Sequence, residues 1–332
     1  MTRPYRIFGA ELSPYSVKVR SYFRYKGIPH EWIPRNVGNQ EEFQRHAKLP
    51  LIPLVITPEG EAWQDSTPIL EKLEALFPEP SIAPPDPALA FLSALVEEYA
   101  DEWGNKPMFH YRWTYPADRE SAAERLARAN LPDADEARVR AASEAVGRRM
   151  AGRLPYVGSS EATREVIEAS FRRSVAILDA HLAARACLFG DRPALADFGL
   201  FAQLYECSTD PTPGAILRAS GPNALAWILR MLTPRAEGDF DRWAALEPTL
   251  LPLLRDEVGG LFLPWSAANA RALAEGREEF EIELRGRPFR QAAQKYHARS
   301  LAVLRARYRG VPDRSALDPI LARAGCLEAL LA

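Results

Sequence analysis

The chain is short of most features that would announce a function directly. Of its 332 residues only Cys187, Cys207 and Cys326 are cysteine, too few and too scattered for a disulfide framework or a metal knuckle. They read as reduced, buried small hydrophobes, and no metal is expected. A run of about eighteen apolar residues is missing, and the N-terminus passes through Arg3, Pro4, Tyr5 and Arg6 without a signal peptide's apolar core. No membrane partner is therefore expected, and a cytoplasmic location is. A formal net charge of −2 gives no general attraction to nucleic acid or anionic lipid. Internal repeats and low-complexity tracts are absent. What remains is a chain of 47% apolar and 26% charged residues, enough to bury a sizeable core in one large or two ordinary domains.

The pattern changes near residue 80. Tyr5-Arg6-Ile7-Phe8-Gly9 reads as a strand, and Val17, Val19, Tyr22 and Phe23 recur on one face of a helix that Gly27 ends, with Pro29 just beyond. His30–Pro34 reads as a second strand. Leu54–Thr57, Pro58–Glu61 and Ala62–Gln64 read as strand, tight turn and strand, followed by a helix from Ser66 carrying Ile69, Leu70, Leu73 and Leu76. The order is β-α-β-(helix or loop)-β-β-α, an α/β unit over 1–80 with a hairpin at the sheet edge. Pro78, Pro80, Pro84, Pro85 and Pro87 make a stiff linker. From residue 88 to 332 apolar residues recur at helical spacing, and six to nine helices are expected there. The Ala/Arg/Glu-rich stretch from Ala117 to Arg149 reads as a solvated helix face. Phe280, Phe289, Tyr296 and His297 suggest further packed helices in an extended region, 236–332.

Two short motifs carry the chemistry. Leu12-Ser13-Pro14-Tyr15-Ser16, and Leu51-Ile52-Pro53 followed by Gln64-Asp65-Ser66-Thr67-Pro68, each set a hydroxyl at a helix start with proline in the first turn. Free backbone N–H groups there attract negative charge. Two such starts suit a ligand with a carboxylate and a second anionic group.

In this order the motifs resemble the glutathione transferase family. The fold implied is a thioredoxin-like α/β domain followed by an all-α domain. The opening is most similar to serine-type members such as the tau class, where Ser-Pro-Phe/Tyr leads a helix like that of Lys18-Val19-Arg20. The segment Gly190–Phe198, whose Asp197 would cap a buried helix, and Pro222-Asn223 through Trp227, Arg230 and Met231 extend the similarity to about residue 235.

The resemblance implies a role for each matching residue. Ser13 would donate a hydrogen bond to the glutathione sulfur and favour its thiolate, with the helix dipole adding to the effect. Tyr5, Tyr15 and Ser16 are alternative donors. Ile52 would pair its backbone with the cysteinyl part of the tripeptide beside a cis Pro53, and Asp65 and Ser66, with Gln64 a weaker candidate, would hold the γ-glutamyl end. Leu51 stands where many members carry a lysine for the glycyl carboxylate, leaving Lys48, Arg45 and Gln40 as substitutes. Tyr15, Trp103, Phe109, His110, Tyr111 and Trp113 are candidates for the second-substrate pocket. The expected activity is conjugation of the glutathione thiolate to small apolar electrophiles, a detoxification chemistry, by a homodimer. Alternatives are ether cleavage, dehalogenation, isomerisation or peroxide reduction on the same fold, or glutathione binding without turnover. No Cys lies near Ser13, which argues against chemistry through a mixed disulfide.

Overall fold

A computed structural model describes residues 3–332. Its first layer is a four-stranded sheet in the order β2-β1-β3-β4. β1 (Tyr5–Gly9) runs parallel to β2 (His30–Pro34) and antiparallel to β3 (Leu54–Ile56), which turns back through Pro58–Gly60 into the edge strand β4 (Ala62–Gln64). α1 (Pro14–Tyr25) makes the parallel crossover, α2 (Gln40–His46) precedes β3, and α3 (Ser66–Leu76) closes the unit. α1 is buried almost all round, because the sheet covers one side and the helical layer the other. Tyr22 and Tyr25 meet Phe198 edge-on at 5.5 and 5.6 Å. On the far side of the sheet Phe8, Phe43, Leu54 and Ile56 form a small separate core, each side chain contributing about 1.5–3 kcal/mol by leaving water.

Residues 77–86 of the proline-rich segment contain no helix or strand, and its last proline, Pro87, opens the next helix. Beyond it run α4 (Pro87–Tyr99), α5 (Asn105–Thr114), α6 (Pro116–Asn130), α7 (Glu136–Ala151), α8 (Arg164–Leu182), α9 (Leu195–Thr209), α10 (Pro211–Ser220), α11 (Pro222–Arg230), α12 (Trp243–Leu253) and α13 (Leu263–Ala274). These already exceed the six to nine helices expected, because prolines at the starts of α6, α10 and α11 divide longer apolar runs. α4 and α5 are one rod joined by a π-helical stretch, Ala100–Gly104, and α12 and α13 are joined by another, Leu254–Phe262, which follows the interior prolines Pro248 and Pro252.

One segment of the tail departs from the helical reading. β5 (Glu279–Leu284) and β6 (Arg287–Ala292) form an antiparallel hairpin. Both turn residues, Arg285 and Gly286, have positive φ (55° and 75°), as a two-residue hairpin turn matching the strands' twist requires. Phe280 and Phe289, read from sequence as helical, are buried on the inner side of this hairpin. α14 (Lys295–Arg309), α15 (Leu317–Arg323) and α16 (Leu327–Leu331) complete the chain.

Asp197 fastens the helical layer. Its buried carboxylate accepts N–H bonds from Leu188 (2.9 Å) and Ala194 (2.9 Å) and from the Trp227 indole (2.9 Å). The motif around residue 197 and the pattern at Trp227 thus meet at one group. All three cysteines are free and buried. No helix of the described residues is long and apolar enough to cross a membrane.

Candidate functional site

The loop from β1 to α1 is braced on three sides. A Cβ on Gly9 would fall 2.3 Å from the Trp32 ring and 3.0 Å from Ser16 Cβ, so only glycine lets that ring close over the end of β1. Arg20 stacks on Trp32 at 4.2 Å and pairs with both oxygens of Glu11. From the helical layer, buried Arg112, held by Glu206 and Asp210 at 2.7 Å each, donates from Nη1 to the Leu12 carbonyl at 3.2 Å. Leu12 is therefore fixed, and Ser13 follows it.

Ser13 caps α1. Its Oγ accepts the Ser16 N–H at 3.3 Å and the Ser16 hydroxyl at 3.0 Å. With both acceptor positions engaged, the Ser13 O–H remains a donor, and it has no acceptor among the described residues. A hydroxyl that accepts while it donates is a stronger donor, because successive hydrogen bonds polarise one another. The alternative donors are placed otherwise. The Tyr15 hydroxyl donates to the Asp101 carbonyl (3.0 Å) and accepts from Asn105 (3.3 Å). Ser16 gives its proton to Ser13, and the Tyr5 ring is packed among Phe23, Trp63 and Phe77.

One turn deeper lies a group the sequence reading passed over. Lys18, with none of its surface exposed, donates to Thr67 Oγ1 (3.0 Å), Asp101 Oδ2 (2.7 Å), Glu97 Oε1 and, at 3.5 Å, Ser66 Oγ. Burial alone would push its ammonium toward neutrality, but Asp101 and Glu97 outweigh that and hold it above the ordinary lysine value. The same burial pushes Asp101 up against the pull of Lys18. This network ties the start of α3 to α1, so Ser13 and Ser66 belong to one rigid assembly. Lys18 between Val17 and Val19 on the apolar face of α1, and Glu97 after the apolar run of α4, were the available signal.

The second motif lies beside it. The Ile52–Pro53 bond is cis, and the Ile52 N–H and C=O have no partner among the described residues. They are open to an extended peptide in the manner of an added strand. Gln64 is occupied differently from the sequence reading. Its amide accepts from the backbone N–H groups of Lys48 (2.9 Å) and Leu49 (3.1 Å) and donates to the carbonyls of Leu49 (2.9 Å) and Leu51 (2.8 Å). It clamps the loop before Ile52 and has no free arm for a ligand. Lys48 and Arg45 are exposed, while Gln40 accepts from Arg35 at 3.0 Å. Asp65 is exposed at φ 78° and ψ 124°, a conformation that costs a non-glycine residue about 1–3 kcal/mol and tends to persist where function needs it. Although the residue is exposed, the protein crowding one side of its carboxyl raises its pKa, Lys18 opposing and Glu97 and Glu102 adding to the rise.

Four residues assigned to the second-substrate pocket are core instead. Trp103 donates to Ser170 (2.9 Å) and packs edge-on to Trp265 at 5.9 Å; Tyr111 packs on Phe171 at 5.2 Å. His110 is buried between the Ser159 hydroxyl (2.7 Å) and Glu168 (3.3 Å), and Trp113 is buried against Ala122 and Ala123. Helical spacing alone does not separate a buried stripe from a pocket wall, and here the tail hairpin and α8 close over that face. Phe109 and Tyr15 remain partly exposed. Phe109 joins Leu12, Leu126, Val146, Met150 and Leu154 in a partly exposed apolar group at the base of the α6–α7 pair. Val139 and Val146, on one helical face within the stretch read as a solvated face, and Met150 just past its end carried that signal.

The glutathione S-transferase N-terminal domain family matches residues 7–81, and the C-terminal domain family matches 123–230. The chain belongs to the glutathione S-transferase family. Neither match reaches the tail beyond residue 230. Among solved structures, similarity extends to a glutathione S-transferase from Methylobacterium radiotolerans in complex with glutathione sulfonate, at 25% identity over 72% of this chain and 99% of that one, TM-score 0.42. It extends also to a tau class glutathione S-transferase from mango, Mangifera indica, at 17% identity over 76% and 100%, TM-score 0.42. A third is the beta-etherase LigF from Sphingobium sp., at 20% identity over 75% and 99%, TM-score 0.47. No curated protein matches the sequence.

Proposed function

We propose that this chain binds glutathione across the mouth of α1 and the start of α3 and delivers its thiolate to a small apolar electrophile. The observation that carries the reading is the Ser13 hydroxyl, its oxygen doubly hydrogen-bonded by Ser16 and its proton unclaimed, at the positive end of a twelve-residue helix. Ile52 offers one N–H and one C=O to the cysteinyl unit. Ser66, seated on Lys18, faces the γ-glutamyl carboxylate, and Asp65 takes the ammonium. Lys48, in the loop that Gln64 clamps, serves the glycyl carboxylate.

In the reaction the thiol proton leaves to solvent, the sulfur forms a bond to the electrophilic carbon, and the leaving group departs with the electron pair of the bond it breaks. A drop in thiol pKa from about 8.5 to about 6.5 corresponds to about 2.7 kcal/mol. Roughly tenfold of the gain is returned, because nucleophilicity falls with basicity. Further rate therefore comes from holding the acceptor against the sulfur, and the apolar group of Leu12, Phe109, Met150 and Leu154, contiguous in sequence with Ser13 through Leu12, is the wall that suits it.

The test is calorimetric titration with glutathione, then turnover on a panel of chloronitroaromatic, aryl-ether, haloalkane and peroxide substrates. Conjugation with release of halide supports the reading. Binding with no turnover on the whole panel replaces it with a glutathione-binding scaffold, and no binding at millimolar glutathione removes it.

A further inference from the structure

The hairpin β5–β6 lies beyond residue 230, where the family match ends, yet it is tied to the loop that carries one side of the apolar wall. That loop follows α7. Leu154–Val157 forms a single 3₁₀ turn, closed by the Ser159 N–H on the Leu154 carbonyl and the Gly158 N–H on the Pro155 carbonyl, at 3.0 Å each. Holding Tyr156 and Gly158 therefore holds Leu154. The group that does so is Gln291 of β6, only 3% exposed. Its Oε1 accepts from Lys106 Nζ of α5 and from the Trp265 indole of α13, at 3.0 Å each, and its Nε2 donates to the Tyr156 carbonyl at 2.8 Å. Gln294 donates to the same carbonyl, and Lys106 donates to that of Val157 at 3.1 Å. At Gly158, with φ 75°, a Cβ would stand 2.5 Å from Gln291 Oε1 and 2.8 Å from the Phe289 ring, so the turn lies against the hairpin with no space between them. Lys106 also registers the turn to the sulfur site. Asn105, just before it, donates to the Tyr15 hydroxyl at 3.3 Å, and Phe109, one helical turn after it, belongs to the same apolar group as Leu154.

We propose that Gln291 is a positioning residue for the electrophile: by holding the 154–159 turn it fixes Leu154 in the apolar wall, so the tail sets which acceptors the wall takes. This rests on the thiolate-transfer reading and on the wall assigned to it. A turn free to move would have to be ordered each time an acceptor binds, at the expense of the contact it makes; a turn fixed in advance does not. The dependence on Gln291 therefore follows apolar contact. It is strong for a chloronitroaromatic ring that spreads over Leu154, and absent for iodoacetamide, whose small polar body reaches the sulfur without the wall. With either acceptor the sulfur–carbon bond forms as halide leaves with the bonding pair, so the comparison separates the wall from the chemistry.

The experiment turns on Gln291→Glu. The glutamate keeps an acceptor for Lys106 and Trp265 but sets a second oxygen, in place of Nε2, against the Tyr156 carbonyl, which releases the turn and leaves the rest of the cluster paired. Kinetics with both acceptors, glutathione titrations and thermal melts are compared for wild type, Gln291→Glu, Gln294→Ala, Leu154→Ala and the Gln291→Glu/Leu154→Ala pair. Gln291→Glu is expected to raise the KM for the chloronitroaromatic about fivefold, the scale of one hydrogen bond, with glutathione affinity and the iodoacetamide rate unchanged. Gln294→Ala, at a half-buried position, should shift the same KM the same way by about twofold, and it decides alone by the same split should Gln291→Glu fail to fold. Leu154→Ala should cost about fivefold, and the pair no more than the larger single effect, because both act through one side chain. A pair that multiplies to about 25-fold, equal losses with both acceptors, or an unchanged KM in Gln291→Glu and Gln294→Ala overturns the proposal while leaving the glutathione reading standing. Wild type that conjugates neither acceptor overturns both.

Discussion

Replacing Ser13 by alanine tests the thiol-activating role through its pH dependence. The substitution removes a donor whose oxygen is already held by Ser16 at 3.0 and 3.3 Å. A hydrogen bond to a charged group contributes about 1.5–3 kcal/mol, which at about 1.36 kcal/mol per unit raises the bound thiol by roughly 1.1–2.2 pKa units. For a bound thiol starting near 6.5, the thiolate fraction at pH 6.5 falls roughly 7- to 80-fold. The more basic thiolate recovers roughly 3- to 13-fold of this in intrinsic nucleophilicity. The net loss at that pH is then only about two- to sixfold, and it reverses above roughly pH 7 to 7.6, midway between the two thiol pKa values, where the variant's more basic thiolate outweighs its smaller population. Loss of the N-cap adds about 1 kcal/mol of destabilisation without pH dependence in this range. The assay is the ultraviolet absorbance of bound thiolate across pH, alongside kcat/KM. An unchanged thiol pKa in Ser13→Ala refutes the reasoning, whereas Tyr15→Phe, whose hydroxyl is committed to Asp101 and Asn105, is expected to leave it unchanged.

Three other perturbations probe the frame around that serine. Lys18→Met leaves Glu97 and Asp101 buried without their cation and is expected to cost about 3–5 kcal/mol, read as a lower denaturant midpoint and partly restored by adding Glu97→Gln. His181 is buried with its pKa lowered to about 4, chiefly by burial, its Nε2 donating to the Leu188 carbonyl at 2.9 Å. The unfolded chain takes up that proton below about pH 6.5 and the folded one does not, so stability falls as pH drops from about 6.5 to about 4, by up to roughly 3 kcal/mol; His181→Gln should flatten that slope in urea titrations. Met150→Ala, at the apolar wall, should raise the KM for an apolar electrophile about fivefold, an effect of ~1 kcal/mol, and leave the KM for glutathione where it was.

The elements legible in sequence were those whose signal is local. Gly27 after an apolar helical face, the Pro58–Gly60 turn between two short strands, and Ser66 opening α3 each state their own backbone geometry, and the strands and helices of the first layer stand where those residues put them. Ser13 was legible for the same reason, since a Ser-Pro pair defines a helix start. Interactions between distant segments were not. Whether Trp103 and Tyr111 face a ligand or a neighbour depends on the tail and on α8, far along the chain, and a helical stripe looks the same in either case. The tail hairpin was nearer to being readable, because Phe280, Ile282 and Leu284 alternate with glutamates up to an Arg-Gly turn. Gln64 shows the opposite limit, as a residue in the expected place whose amide is spent on the loop at Lys48–Leu51. Lys18 marks the largest gap: its partners come from α3 (Ser66, Thr67) and from the α4 rod (Glu97, Asp101), far along the chain from α1, and no spacing rule brings them together.

A crystal structure of the chain soaked with glutathione tests the central claim most directly. The account predicts the sulfur within hydrogen-bond reach of Ser13 Oγ, the cysteinyl backbone paired with Ile52 and the γ-glutamyl end between Ser66 and Asp65. A tripeptide bound elsewhere, or a sulfur resting on another donor with Ser13 turned away, contradicts it.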